Sequence, residues 1–292
     1  MSAASMNLKT GLTIGGKQKA VKFMRRFPFA VGGLVVLILF TVFAIGAPLF
    51  SPHDPLKVDL SAMLKPPTST HLLGTDDLGR DILSRVIHGG RVSLEVALIS
   101  VSISLGIGLM IGLITGYWRG WIDNVLMRFM DALLSFPSLV LALAIAAVLG
   151  AKLINAIIAI GIVYIPQFAR LARGQVMAVS NLDYVKAARA LGASNKRIIF
   201  VHILPNITTP LIVQITLSVG YAILAEASLS FLGVGVQPPR PAWGTMLRMG
   251  YPYLEAAPWL AIAPGAAIFL VVMACNFVGD WMRDTFAVSA NK

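Results

Sequence analysis

Few residues of this chain have the types and spacing that catalysis requires. Residues 11–18 come close to a phosphate-binding loop, but Gln18 stands where a Ser or Thr would hold magnesium, and no strand precedes the glycines. The sequence also contains neither Gly-x-Ser-x-Gly nor His-Glu-x-x-His. We therefore expect that the chain is not an enzyme and binds no cofactor.

Three histidines, His53, His71 and His88, fall between two apolar runs and raise the question of metal binding. Their spacing matches no recognised set of zinc ligands. Histidines in loops are usually solvated, so the sequence predicts no metal site.

One acidic residue, Glu226, directly follows a long apolar run. A carboxylate within a membrane is costly unless it is paired, hydrated or protonated, so such a residue is a functional candidate. Two roles stay open from the sequence. The carboxylate could pair with an arginine outside the membrane, or it could contact substrate or water in the transport pathway.

The elements that must position these residues are apolar helices. The composition is 57% hydrophobic and only 13% charged, which is typical of a polytopic membrane protein. Six apolar runs have spanning length, although one of them is at the lower limit. They are residues 28–50, 96–118, 132–151, 153–169, 203–225 and 256–279. We predict an all-α membrane protein with six transmembrane helices in a lipid bilayer.

The distribution of basic residues indicates the orientation. If the N-terminus is inside, 16 of the 24 Lys and Arg residues lie in inner segments, so both termini are predicted to be cytoplasmic. The net charge of +11 is then explained by basic cytoplasmic loops, and we expect no nucleic acid partner.

Two local features bear on helix packing. Gly108, Gly112 and Gly116 recur at four-residue steps and predict a flat face on the second span, close against a neighbouring helix. The face could slide or line the route, or it could serve static packing. Pro137 is predicted to kink the third span or to lie in its first turns.

The inner segment at residues 183–206 is polar and basic and reads as two short helices. Asp183 suits the N-cap of a helix through Leu191, and Gly192 suits the residue just past it. Ser194 suits the cap of a second helix, which Pro205 is predicted to end.

These residues resemble the loop shared by the membrane subunits of ATP-driven importers. That loop reads Glu-Ala-Ala, three residues, Gly, nine residues, then Ile-x-Leu-Pro. In this chain Lys186 and His202 stand in place of the Glu and the Ile. The resemblance implies docking on an ATPase subunit through Lys186, Ala187, Ala188, Leu191, Gly192, Leu204 and Pro205.

A second stretch resembles the second membrane subunit of dipeptide, oligopeptide and nickel importers, just after its first span. The residues that carry this likeness are Gly74, Thr75, Asp76, Gly79, Arg80 and Asp81. The resemblance implies a type I ABC importer permease fold in a bacterial inner membrane. The implied parts are a cytoplasmic tail (1–27), a first span (28–50), an extracytoplasmic segment (51–91), a five-helix core (92–280) with a coupling loop (170–205), and a second cytoplasmic tail (281–292).

The same resemblance implies the partners: a homologous second permease subunit, two cytoplasmic ATPase subunits and an extracytoplasmic solute-binding protein. The expected cargo is a di- or oligopeptide, with nickel chelates, glutathione or opine-like solutes as alternatives. A self-sufficient secondary transporter would show repeated halves and paired embedded charges, and the sequence has neither. A membrane enzyme or an assembly factor is the other, more distant alternative.

Overall fold

The computed structural model describes residues 27–290, with side chains described through Phe286. The near phosphate-binding loop at 11–18 and nearly all of the basic tail lie outside the described residues. The described part contains ten helices and two short 3₁₀ turns, Leu60–Ala62 and Tyr251–Tyr253. The helices are α1 (Pro28–Ile45), α2 (Ala47–Phe50), α3 (Ile82–Trp118), α4 (Trp121–Leu134), α5 (Ser138–Leu149), α6 (Leu153–Ser180), α7 (Asp183–Ala190), α8 (Asn195–Phe231), α9 (Trp243–Gly250) and α10 (Trp259–Ala290).

Five of these helices, α1, α3, α6, α8 and α10, are long and apolar enough to cross a membrane. A sixth crossing results if α4 and α5 together form one span, bent by 92° at the break between them. The all-α membrane architecture is therefore confirmed. Helices suit this environment because every backbone polar group is satisfied within its own segment.

The predicted third span, residues 132–151, is wrong in its bounds. Helix α5 starts at Ser138 and has 12 residues, about 18 Å at a rise of about 1.5 Å per residue. That is short of the roughly 30 Å hydrocarbon core. Pro137 precedes α5 in an extended conformation and breaks the helix there. Most of the segment between the second and third predicted spans forms the separate helix α4.

Several helices extend beyond their apolar runs. Helix α3 begins at Ile82, and α6 continues to Ser180, well past its predicted end at residue 169. In α6 the added turns carry Arg173, which donates to both carboxylate oxygens of Asp123 on α4 at 2.7 Å. Hydropathy therefore marks the apolar part of a helix, while ion pairs allow the helix to continue outside it.

The centre of the bundle is the close pair formed by α3 and α6, and it confirms the predicted glycine face. A Cβ atom on Gly108 would lie 2.6 Å from the Cβ of Phe168, and one on Gly116 would lie 2.8 Å from the Cβ of Val176. Ser104 also donates across this interface to the carbonyl oxygen of Gly161 at 2.7 Å. The contact is tight and hydrogen-bonded, which favours the static packing interpretation.

Helix α1 lies at the side of this core. It packs along α10, where the rings of Phe29 and Phe277 have centroids 5.4 Å apart. A Cβ atom on Gly33 would lie 3.0 Å from the carbonyl oxygen of Ala274. Most other α1 side chains are exposed, as expected of a helix added to the edge of a bundle in lipid.

Candidate functional site

Helix α7 and the turn after it form a short, well-defined elbow between α6 and α8. Gly192 has φ of +83°, the left-handed conformation predicted for the residue past the helix. The Ala193 N–H donates to the carbonyl of Ala188 at 3.1 Å, and the Gly192 N–H donates to that of Arg189 at 3.0 Å. These two bonds are a Schellman motif, so the turn satisfies the helix end without help from outside.

The start of α7 differs from the prediction. Leu182 occupies the N-cap position, and Asp183 is the first helical residue. The Asp183 carboxylate lies 3.4 Å from the Lys186 ammonium on the exposed surface. Asp183 therefore acts through its charge in the first turn, where a carboxylate is favourable, instead of through a capping hydrogen bond.

The second half of the loop confirms one prediction and corrects another. Ser194 caps the next helix by accepting from the Arg197 N–H at 3.4 Å. Pro205, however, does not end that helix, because α8 runs on to Phe231. The helix adopts a π-helical turn at Ile198–Ile203, and Pro205 falls in the first turn of the α-helical part that follows. A first turn needs no N–H from proline, so the helix continues.

The elbow is fixed to the membrane helices on one side and exposed on the other. Val185 is buried with Ile198 and Ile203 in the main apolar core. The Tyr184 hydroxyl donates to the carbonyl of His202 at 3.2 Å, and the Arg189 guanidinium lies 5.5 Å from the centre of the Tyr117 ring at the end of α3. These contacts connect α7 directly to α3 and α8.

The residues predicted to dock on a partner fall mostly on the exposed side. Leu191 is 88% exposed, and a Cβ atom on Gly192 would have nothing within 4 Å. Lys186, Ala187 and Pro205 are exposed as well, whereas Ala188 and Leu204 are half-buried. Leu204 and Pro205 lie on α8, which the Tyr184–His202 bond links to α7.

The other predicted motif forms a buried ion-pair network at the start of α3. Asp76 accepts from the Arg80 Nε at 2.7 Å and lies 3.4 Å from the Arg85 Nε. Asp81 caps α3 by accepting from the Ser84 N–H and hydroxyl at 2.8 and 2.6 Å. Buried charges of this kind tolerate little change, because loss of one partner leaves the other charge unpaired.

The remaining motif residues fix the backbone turns around this ion-pair network. Gly74 and Gly79 have φ of +77° and +71°, and a Cβ atom on Gly79 would overlap the carbonyl oxygen of Asp59. The Thr75 hydroxyl donates to the carbonyl of Ala62. At the surface of the same segment, hydrogen bonds from the hydroxyl and N–H of Ser61 lower the pKa of the Asp59 carboxyl. The contacts of Gly74, Gly79 and Thr75 therefore give the motif a structural role, because they hold the segment together.

Glu226 is fully buried and forms hydrogen bonds with two serine side chains. Its carboxylate accepts from the Ser93 hydroxyl on α3 at 3.1 Å and from the Ser230 hydroxyl at 2.8 Å. Ser230 in turn accepts from the Val236 N–H at 3.0 Å. Glu226 thus joins α3, α8 and the loop after α8.

Within the part of the chain that the structure describes, Glu226 has two serine partners and no arginine, although pairing with an arginine was one of the two roles that the sequence left open. Helix α8 extends to Phe231, which places Glu226 more than a turn inside the helix, against α3. Arg240 pairs instead with Glu95 at 2.6 Å. Trp243 is also buried, and its indole N–H donates to the carbonyl of Val86 at 2.8 Å.

Sequence reasoning missed an open groove of about 670 Å³ lined by α6, α8 and α10. Gln214 Nε2 lies 3.4 Å from Gln167 Oε1 and 3.3 Å from the Ser218 hydroxyl. Arg283 lines the same groove from α10. The available signal was Gln214 inside an otherwise apolar run, since a polar side chain there faces the protein interior or water.

Comparison with known proteins decides the family. Residues 108–289, more than half of the chain, match the family described as "Binding-protein-dependent transport system inner membrane component". The chain belongs to this family. Residues 18–67 of this permease also match the "N-terminal TM domain of oligopeptide transport permease C".

Relatives of the permease are similar over almost their full length. The dipeptide transport system permease protein of Alkalihalophilus pseudofirmus is 44% identical over 91% of this chain and 88% of its own length. The di/tripeptide transport system permease protein of Pseudomonas aeruginosa is 49% identical over 87% and 86%. The glutathione transport system permease protein of Pectobacterium atrosepticum is 41% identical over 90% and 87%.

A solved structure supports the fold. The MetNI methionine ABC transporter in an inward-facing conformation matches with a TM-score of 0.56 and 19% identity, covering 68% of this chain and 95% of that chain. The family match includes only the last part of α3, from residue 108, but all of the elbow, Glu226 and the groove. The motif at residues 74–81, which forms the buried ion-pair network, lies between the two matched regions.

Proposed function

We propose that the permease forms half of the translocation pathway of an ATP-driven importer of di- or oligopeptides. A homologous second permease subunit completes the pathway, two cytoplasmic ATPase subunits supply the energy, and an extracytoplasmic solute-binding protein delivers the cargo. The chain lies in a bacterial inner membrane with both termini in the cytoplasm. Its segments are those that the resemblance implies: the tail 1–27, the first span 28–50, the outer segment 51–91, the core 92–280 and the tail 281–292.

The observation that carries this proposal is the geometry of α7. An exposed surface of Ala187, Leu191 and Gly192 stands on a helix whose opposite side is packed into the core through Val185. An ATPase that grips this surface moves a body already attached to α3 and α8. Small residues on the gripped side let the partner approach closely.

The energy for the change of state comes from the partner subunits. A ligand shifts an equilibrium only by its differential affinity for the two states. A shift from 1:99 to 99:1 requires about 5.5 kcal/mol, and two nucleotide sites in the ATPase pair supply it. The permease itself carries no hydrolytic step.

The groove between α6, α8 and α10 suits a peptide. Gln175 and Gln214 line it and offer both donors and acceptors, as a peptide backbone requires. Arg283 offers a charge for a terminal carboxylate. The groove is open, so a second subunit can close it. The names of the relatives, which transport dipeptides, di- and tripeptides or glutathione, support a peptide cargo over nickel chelates or opine-like solutes.

Replacement of Leu191 tests the docking surface directly. Because Leu191 is 88% exposed, Leu191→Asp is expected to leave insertion and the melting temperature of the subunit unchanged. It should abolish dipeptide uptake by proteoliposomes that contain the whole complex and the binding protein, and it should uncouple ATP hydrolysis from the binding protein. Leu191→Met keeps the apolar surface and is expected to transport normally.

Wild-type uptake by the Leu191→Asp complex would refute docking through α7. In the same assay, excess unlabelled dipeptides and tripeptides are expected to compete with the labelled dipeptide. Competition by glutathione alone, or by a nickel chelate alone, would replace the proposed cargo while leaving the coupling mechanism intact.

A further inference from the structure

Two histidines that are far apart in sequence lie side by side before α3. The rings of His53 and His71 have centroids 4.8 Å apart, and Nδ1 of His71 lies 2.9 Å from Oδ1 of Asp81. One ligand atom from each of these three side chains lies within 4.8 Å of the other two. Two imidazoles and one carboxylate are a donor set typical of divalent transition metals.

The hydrogen bond of His53 prepares its ring for a metal. His53 Nε2 lies 2.9 Å from the carbonyl oxygen of Thr70. A carbonyl oxygen can only accept, so Nε2 carries the hydrogen and Nδ1 keeps a free lone pair. Histidines bound to metals commonly donate their second N–H to a backbone carbonyl in this way, which fixes the orientation of the ring.

The contact between His71 and Asp81 supplies the other two ligands. Oδ2 of Asp81 caps α3, and Oδ1 faces His71. If neutral His71 carries its hydrogen on Nε2, then Nδ1 and Oδ1 present two lone pairs 2.9 Å apart. Two ligand atoms bound to one Zn²⁺ at about 2.1 Å each in tetrahedral geometry are separated by about 3.4 Å, so binding moves these two atoms apart by only about 0.5 Å.

The backbone around the cluster is held by the same groups. The His53 N–H donates to the Ser84 hydroxyl at 3.1 Å, and that hydroxyl donates to Asp81 Oδ2 at 2.6 Å. The side chain of Asp81 is only 2% exposed, whereas that of His71 is 21% exposed. An ion can therefore reach preformed ligands without opening the fold.

We propose that His53, His71 and Asp81 bind one divalent transition-metal ion of the Zn²⁺ class, which replaces the hydrogen shared by His71 and Asp81. Water completes the coordination. Mg²⁺ and Ca²⁺ do not fit, because they prefer oxygen ligands. The ion would tie the start of the segment after α2 to the N-terminal cap of α3. This site departs from the sequence prediction of no metal.

Zinc titration of histidine variants tests the site. The full-length chain, purified without a histidine tag and placed in lipid nanodiscs, is titrated with Zn²⁺ in competition with a chromogenic chelator. Wild type is expected to bind one Zn²⁺ that millimolar Mg²⁺ does not displace. His53→Gln and His71→Gln should each weaken binding at least tenfold, and His88→Gln, which alters a histidine of α3 outside the cluster, should leave it unchanged.

Equal Zn²⁺ affinity in wild type, His53→Gln and His71→Gln would overturn the proposal, as would loss of binding in His88→Gln. X-ray absorption of the zinc-loaded wild type provides a test that needs no variant. Scattering from two imidazoles at about 2.0–2.1 Å is expected. A zinc shell without imidazole scattering would also overturn the site.

Discussion

The glycine face between α3 and α6 gives a prediction whose size follows from the contacts. Gly112 lies at the closest point of the two helices. A Cβ atom there would overlap the Cβ of Ala172 and lie 2.7 Å from the carbonyl oxygen of Ala169 and 2.8 Å from the backbone nitrogen of Arg173. Backbone atoms cannot rotate away, so Gly112→Ala must push the two helices apart.

The matched control is Gly106→Ala on the same helix, because a Cβ atom on Gly106 would have nothing within 4 Å. Both variants gain up to about 1 kcal/mol of helix propensity. The difference between them therefore isolates the cost of overpacking, which is typically 1–3 kcal/mol, or about 2 kcal/mol here. A difference of this size corresponds to roughly 4–8 °C in melting temperature.

The assay is thermal melting of the full-length chain in detergent, followed by fluorescence-detected size exclusion at one heating rate. We expect Gly106→Ala to melt at or above the wild-type temperature and Gly112→Ala to melt below it. If Gly112→Ala melted with Gly106→Ala, the two helices would not be in contact at Gly112, and the reasoning would fail.

Two further predictions concern buried carboxylates. Asp123→Asn removes the charge that accepts two hydrogen bonds from Arg173, whose side chain is 33% exposed; we expect a loss of about 1–3 kcal/mol in thermal melting. Asp131→Asn breaks a pair that is 53% exposed on both sides and should cost at most about 1 kcal/mol, so equal losses would contradict the difference in burial. Glu226→Gln keeps a hydrogen-bonding group between its two serine partners and should retain peptide uptake, whereas Glu226→Leu leaves their hydroxyls unsatisfied and should lower the melting temperature. Loss of uptake in Glu226→Gln at unchanged stability would show that the carboxylate acts in transport.

The bundle was predictable in outline because the bilayer allows few structures. Long apolar runs with satisfied backbones must be helices, and five of the six predicted runs are helices of spanning length. The helix ends were harder to predict. Helix α6 continues past its apolar run because Arg173 meets Asp123 on α4, a partner 50 residues away in the chain, and no local pattern shows such a pairing.

The break at Pro137 shows a similar limit. The sequence predicted that Pro137 disturbs the third span. A kinked span and a loosened first turn were both consistent with that prediction. The outcome, two helices at 92°, depends on α4 burying Asp123 and Met130 against α6. Contacts across the bundle therefore fixed an outcome that local chemistry left open.

The sequence alone determined the features whose cause is local. They are the apolar helices, the left-handed turn at Gly192, the cap at Ser194 and the close-packing face of Gly108, Gly112 and Gly116. The tertiary structure alone decided which groups meet: Glu226 with Ser93, His53 with His71, and the glycine face with α6. The physical reason is that hydrogen bonds and ligand sets depend on distances of a few ångströms between residues far apart in the chain, and the packing of the helices sets those distances.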